Sequence, residues 1–167
     1  LNVVDVYHCG KKIIKDEKME VKPCPPHLKN TVHVSGFSEE RLKLKHSGEK
    51  AHVIQMLEKQ IVTKHIIEEV PCAEKDGEKY FESNEEYQKI AVIERHKNTG
   101  KMGVGIVKGY GIRGGAIASS VSHDSHNIIV VGDNDHDMAL AVKEMIRTQG
   151  GYTLVCNGEI YGTLPLP

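Results

Sequence analysis

The chain contains no tryptophan and only two phenylalanines and six tyrosines, so it offers few flat surfaces on which unpaired bases can stack. It also lacks an excess of either charge. Twenty-two basic and 23 acidic side chains leave a formal charge of −1, which generates no field for collecting nucleic acid or anionic lipid. Long apolar runs are missing as well. Ile128-Ile129-Val130-Val131 falls far short of the ~18 residues needed to cross a bilayer, and no signal-peptide pattern opens the chain. A cytoplasmic setting is therefore expected, without membrane or nucleic-acid partners. The four cysteines, Cys9, Cys24, Cys72 and Cys156, show no C-x-x-C spacing. That excludes a zinc ribbon or redox pair and predicts reduced, mostly buried thiols. Finally, 167 residues are too few for a complete (β/α)₈ barrel of ~250.

With 39% hydrophobic and 27% charged residues, the chain can bury a core, and that core must be built from Val, Ile, Leu, Met and Ala. Residues 1–15 read as two short β runs, Val3–Tyr7 and Lys12–Lys15, turning at Cys9-Gly10. Leu1 is not an initiator Met, and Leu164-Pro165-Leu166-Pro167 ends without a cap. Both ends are expected to be cut within a longer protein. Residues 16–50, Pro-rich around Pro23, Pro25 and Pro26, read as a loop-rich connection. Residues 51–167 carry the regular structure.

Within that unit, residues 52–70 predict two strands with a turn at Glu58-Lys59-Gln60, and Asp76-Gly77 marks a second turn. Ser83-Asn84-Glu85-Glu86 predicts the cap of one short helical turn. The runs QKIAVIERH and KMGVGIVKGY, separated by Lys97-Asn98-Thr99-Gly100, form a hairpin. Small residues from Gly114 to Ser120 predict a short, closely packed helix, and Asn127–Val131 a buried strand. Met138, Ala141, Val142, Met145 and Ile146 fall on one helical face. Asp133, Asn134 or Asp135 would cap this helix and Gly150-Gly151 stop it. Asn157-Gly158 is a two-residue hairpin turn. The expected fold is α/β, of the layered α+β kind: a mixed β-sheet with hairpins and two main helices.

The densest polar segment is Ser119-Ser120-Val121-Ser122-His123-Asp124-Ser125-His126-Asn127. His123, Asp124 and His126 can exchange protons near neutral pH. Asn127, Ser120, Arg95 and His96 are candidates for contacting a substrate, in loops at strand ends where α/β folds place ligands. A rival reading uses Gly109, Gly111 and Gly114, formally G-x-G-x-x-G after a strand, as a dinucleotide turn with Asp133 downstream. A third is a purely structural interaction domain. Asp133-Asn-Asp135-His-Asp137 with Glu144 has the acidic spacing of a calcium loop, but Met138 stands where its central glycine is required. Helix capping is the expected role. His123 and His126 lack a third anchor, so no metal site is expected here.

The run GVGIVKGYGIRGGAIASSVSHDSHNIIVVGDNDHDMALAV, extended by KIAVIERHKNTG and GGYTLVCNGEIYGTLPLP, closely resembles the adenine deaminase family of the amidohydrolase superfamily, in its C-terminal domain. NVVDVYHCGKKII is similar to the last hairpin of the small β-domain that flanks the superfamily's barrel. The resemblance implies a parent hydrolase of purine salvage that converts adenine and water to hypoxanthine and ammonia, using a divalent metal, manganese or iron. It also implies partners: adenine, the missing catalytic barrel and, for an interaction domain, a second copy of the chain. The superfamily's metal-binding H-x-H matches nothing here, so the chain alone is expected to bind no metal and to be inactive. His123, Asp124, His126 and Asn127 match the family motif and are the residues expected to reach toward its active site.

Overall fold

A computed structural model describes residues 4–13, 29–46 and 49–166. Local turn chemistry sets most of its strands. β1 (Val6–His8) and β2 (Lys11–Ile13) turn through Cys9 and Gly10, both at positive φ, and pair only with each other among the described residues. β3 (Ala51–Met56) and β4 (Thr63–Glu68) form the hairpin predicted around residues 58–60. β5 (Cys72–Lys75) and β6 (Glu78–Phe81) turn at Asp76-Gly77. β7 (Tyr87–Ile93) and β8 (Met102–Lys108) flank the 94–101 loop. β9 (Gly115–Ser119) and β10 (Ile128–Gly132) follow, then α1 (Asp135–Arg147), and finally β11 (Gly151–Cys156) and β12 (Glu159–Pro165).

Eight strands make one sheet in the order β12-β11-β9-β10-β7-β8-β3-β4, antiparallel throughout except for the parallel β3–β8 pair. The predicted mixed sheet of an α+β layered fold is present, with no barrel among the described residues. α1 packs on one face. Met138, Ala139, Ala141, Val142 and Met145 meet Ala116, Ala118, Ile128, Val130 and Val155 in a dry core that also includes Val32 and Leu42 from the 29–46 segment. A second cluster, Val53, Phe81, Tyr87 and Ile106, extends the same face under the β5–β6 hairpin. No helix among the described residues is long and apolar enough to cross a membrane.

Three local expectations are corrected. The second helix does not form: Gly115–Ser119 is a central strand between β10 and β11. Its small residues serve closeness, since a Cβ at Gly115 would collide with the Val155 carbonyl and Ala116 and Ala118 lie under α1. Residues 83–86 are not helical. Asn84 Oδ1 instead accepts the N–H groups of Glu86 (2.9 Å) and Tyr87 (2.8 Å), an Asx turn leading into β7. Cys9, Cys72 and Cys156 are exposed rather than buried, because they occupy a turn and the outward positions of peripheral hairpins.

The acidic run at the start of α1 ties the layers together. Asn134 caps the helix, its Oδ1 accepting the Asp137 N–H at 2.8 Å. Asp137 accepts the Gly158 N–H of the β11–β12 turn at 2.9 Å, and Asp135 pairs with the buried Lys89 of β7. Glu144 is held by both guanidinium arms of Arg147, at 2.7 and 2.6 Å, which keeps its carboxyl below the ordinary range. Each acid of the calcium-like spacing thus has a structural partner.

The face opposite α1 follows from register. One row across the sheet reads Gly162, Leu154, Ile117, Val131, Ile90, Gly105, and the next Leu164, Tyr152, Ser119, Ile129, Val92, Gly103.

Candidate functional site

The loop between β9 and β10 carries most of the predicted site residues, and the β7–β8 loop brings in the others. β7 ends at Ile93, and the chain then curls around the carboxylate of Glu94. That group accepts the N–H of Thr99 (3.1 Å), the N–H of Lys97 (2.8 Å), the Thr99 hydroxyl (2.8 Å) and the N–H of His96 (2.6 Å). These donors, led by the Thr99 amide, lower its pKa from 4.5 to about 2. The folded pKa lies below the unfolded one, so the stabilisation is complete above about pH 4.5 and disappears as pH falls through about 2. Amide exchange at His96, Lys97 and Thr99 is expected to accelerate across that window, beyond its intrinsic pH dependence. An unchanged protection factor from pH 5 to about 2 would contradict the assigned role.

The curl aims Arg95 and His96 at the neighbouring loop. Arg95 Nε donates to the carbonyl of His126, while its Nη1 donates to Thr31 Oγ1 at 3.0 Å. Partial burial pushes the guanidinium pKa down. The His96 ring donates from Nε2 to the Ser125 carbonyl at 2.8 Å. The His126 N–H donates to Ser122 O at 2.5 Å, and His126 holds a left-handed φ of 51°, a conformation uncommon for a non-glycine residue. Arg95 and His96 are therefore brought against Ser125 and His126, next to Asn127 in the chain. The first two grip the loop's backbone, a role that residue type alone does not reveal.

His123 and Asp124 project from this anchored loop, with side chains 89% and 85% exposed and in mutual contact. The His123 and His126 ring centroids lie 6.3 Å apart. Asn127 Oδ1 is buried and has no hydrogen-bond partner among the described residues. Ser120, by contrast, lies inside. Its Oγ accepts the Gly151 N–H at 2.8 Å and fastens β9 to the start of β11. Sequence reading missed Glu94 and Thr31. The only signal for Glu94 was an acid three residues before the Lys97-Asn98-Thr99-Gly100 turn.

The glycine motif does not build a dinucleotide site. Gly114 leads into β9 rather than a helix, and Asp133 accepts the N–H groups of both Gly114 and Gly115, the latter at 3.0 Å. Neither a helix N-terminus nor free amides face a phosphate. Nor does any group of three His, Cys, Asp or Glu side chains among the described residues converge as metal ligands. The stacked pair His52 and His65, Nδ1 to Nε2 2.7 Å, has no third donor. The described residues do not fit the divalent metal that the resemblance implies.

Residues 60–167 match the family model of the adenine deaminase C-terminal domain. The chain belongs to this family. It is 46% identical over 162 residues to the adenine deaminase of Desulfitobacterium hafniense (strain Y51), covering 97% of this chain and 28% of that protein. It is 40% identical over 165 residues to the adenine deaminase of Nitratidesulfovibrio vulgaris (strain DP4), with 97% and 28% covered. Adenine deaminase 2 of Carboxydothermus hydrogenoformans is 44% identical over 142 residues, 84% of this chain and 24% of that protein. The chain thus spans about a quarter of the length of these adenine deaminases.

Proposed function

We propose that this chain is the C-terminal part of an adenine deaminase, a hydrolase acting in cytoplasmic purine salvage, and that its His123–Asn127 loop borders the adenine site. The relationship along almost the whole chain to proteins named adenine deaminase carries the reading. The exposed thiols of Cys9, Cys72 and Cys156 are compatible with a reducing compartment. The divalent metal, manganese or iron, is assigned to the part of the enzyme outside this chain.

What these residues can contribute is binding and proton movement. Deamination at C6 of the purine requires a proton for departing ammonia. His123, in contact with Asp124, is the group assigned to deliver that proton. The neighbouring His126 ring supplies a second imidazole, and the orphan Asn127 Oδ1 an acceptor for a donor on the base or on the adjoining domain. Arg95 and His96 act through the loop backbone as positioning residues.

In the full-length enzyme, replacing both His123 and His126 by Ala is expected to lower kcat/KM for adenine at least ~10-fold, about 1.4 kcal/mol of transition-state stabilisation. Steady-state kinetics beside circular dichroism measures it. An unchanged kcat/KM in a folded variant would return the loop to a structural role.

A further inference from the structure

The sheet face away from α1 is largely apolar, and among the described residues no element covers its centre. Except for Glu159 opposite Cys156 at the tip of the outer hairpin, no strand position on that face, from β12 across to β4, holds Lys, Arg, Asp or Glu. In a chain that is 27% charged, such depletion is the mark of an interface centre rather than of a solvated surface. Tyr152, Leu154, Ile54 and Met56 on this face are about two-fifths exposed, at 39%, 45%, 41% and 39%. Among the described residues one end is roofed, where Gly111 N–H donates to Gln88 Oε1 at 3.1 Å and Val107 and Val131 are buried.

The surface also has shape. Gly103 and Gly105 lie side by side along β8 on this face, and a Cβ at Gly103 would meet nothing within 4 Å. The result is a shallow furrow along β8 beside Ile90 and Val92 of β7. Eight strands at ~4.8 Å spacing and ~3.3 Å per residue give a face of roughly 35 by 20 Å. That is close to the ~800 Å² each partner contributes to a stable protein interface.

We propose that the remainder of the adenine deaminase polypeptide seats on this face through an uncharged, aliphatic or aromatic surface. The inference rests on the reading of the chain as the C-terminal part of such an enzyme. The chain corresponds to 28% of the D. hafniense relative, so the larger part of that protein is tethered to the region matching this sheet. Tethering gives it an effective concentration in the millimolar range, which a free second copy does not have. Seating there places the β9–β10 loop at the rim of the contact, since that loop joins strands at the centre of the sheet.

Hydroxyl-radical footprinting of the 167-residue chain and of the full-length enzyme, with mass-spectrometric readout at Met56, Tyr152 and Leu154, tests the proposal. Modification is expected to fall at least ~10-fold in the full-length protein. Sedimentation velocity identifies the occupant: protection in the isolated chain that rises with dimerisation would replace the proposed partner by a second copy and overturn the proposal. Equal modification of both forms would overturn it too. Adenine turnover on the same full-length preparation separates the two readings. Activity without protection defeats the seating alone, and protection without activity defeats the catalytic assignment alone. The double variant Ile129→Lys and Leu154→Lys supplies a second measurement. It is expected to raise proteolytic cleavage between the two parts of the full-length protein severalfold, and unchanged cleavage would count against the seating.

Discussion

Replacing Gly151 by alanine is expected to unfold the C-terminal half of the sheet or destabilise it by about 3–5 kcal/mol, the sum of backbone strain and overpacking. Gly151 opens β11 at φ +125°, where an L side chain is strained. A Cβ there would overlap the Leu164 carbonyl oxygen and lie 2.9 Å from the Leu166 nitrogen. These are backbone atoms of the paired strand β12 and of the residue that follows it, so no side chain can swing aside. The same residue donates its N–H to Ser120 Oγ, and a shift of β11 would break that bond inside the protein. A loss of this size is a large share of the ~5–15 kcal/mol that holds a typical domain together. The control is Gly162→Ala on β12, where a Cβ meets nothing within 4 Å and the change should stay within about 1 kcal/mol. Urea unfolding of both variants measures the difference. Equal midpoints would show that β12 does not hold the position described.

The second large effect is an absence of turnover. The 167-residue chain, purified free of host deaminase and supplied with manganese or iron, is expected to convert no adenine above the uncatalysed rate. Hydrolysis at an aromatic carbon needs an activated water, and enzymes lower such barriers by ~8–23 kcal/mol. Among the described residues no three ligands converge to hold a metal, and His123 with Asp124 is an exposed pair without a water-excluding cavity around it. Restoring the remainder of the enzyme should restore deamination. Measuring hypoxanthine over hours at high protein concentration checks this, and metal-dependent turnover by the isolated chain would overturn it.

Much of the fold is legible along the chain because turns and caps are local chemistry. Asn157-Gly158 adopts the two positive φ angles of a tight hairpin. Asn134 caps α1, and the apolar stripe from Met138 to Met145 is its buried face. The segment Gly114–Ser120 was not legible in the same way. Small residues carry no period, and its strand state depends on β10 and β11 flanking it and on α1 lying close above. For the candidate site, the sequence marks the loop but not its mechanics. That Arg95 and His96 hold the Ser125 and His126 carbonyls, that Glu94 shapes the turn delivering them, and that Ser120 is internal are long-range facts.

The sequence by itself determined the sheet-and-helix composition, the hairpins, the family and the candidate loop, because dihedral preference, hydrophobic period and motif reside in contiguous residues. Only the tertiary structure decided the strand order, the grip on the His123–Asn127 loop and the uncharged face opposite α1. Those depend on which strands become neighbours, and the pairing energy that selects them comes from residues far apart in the chain.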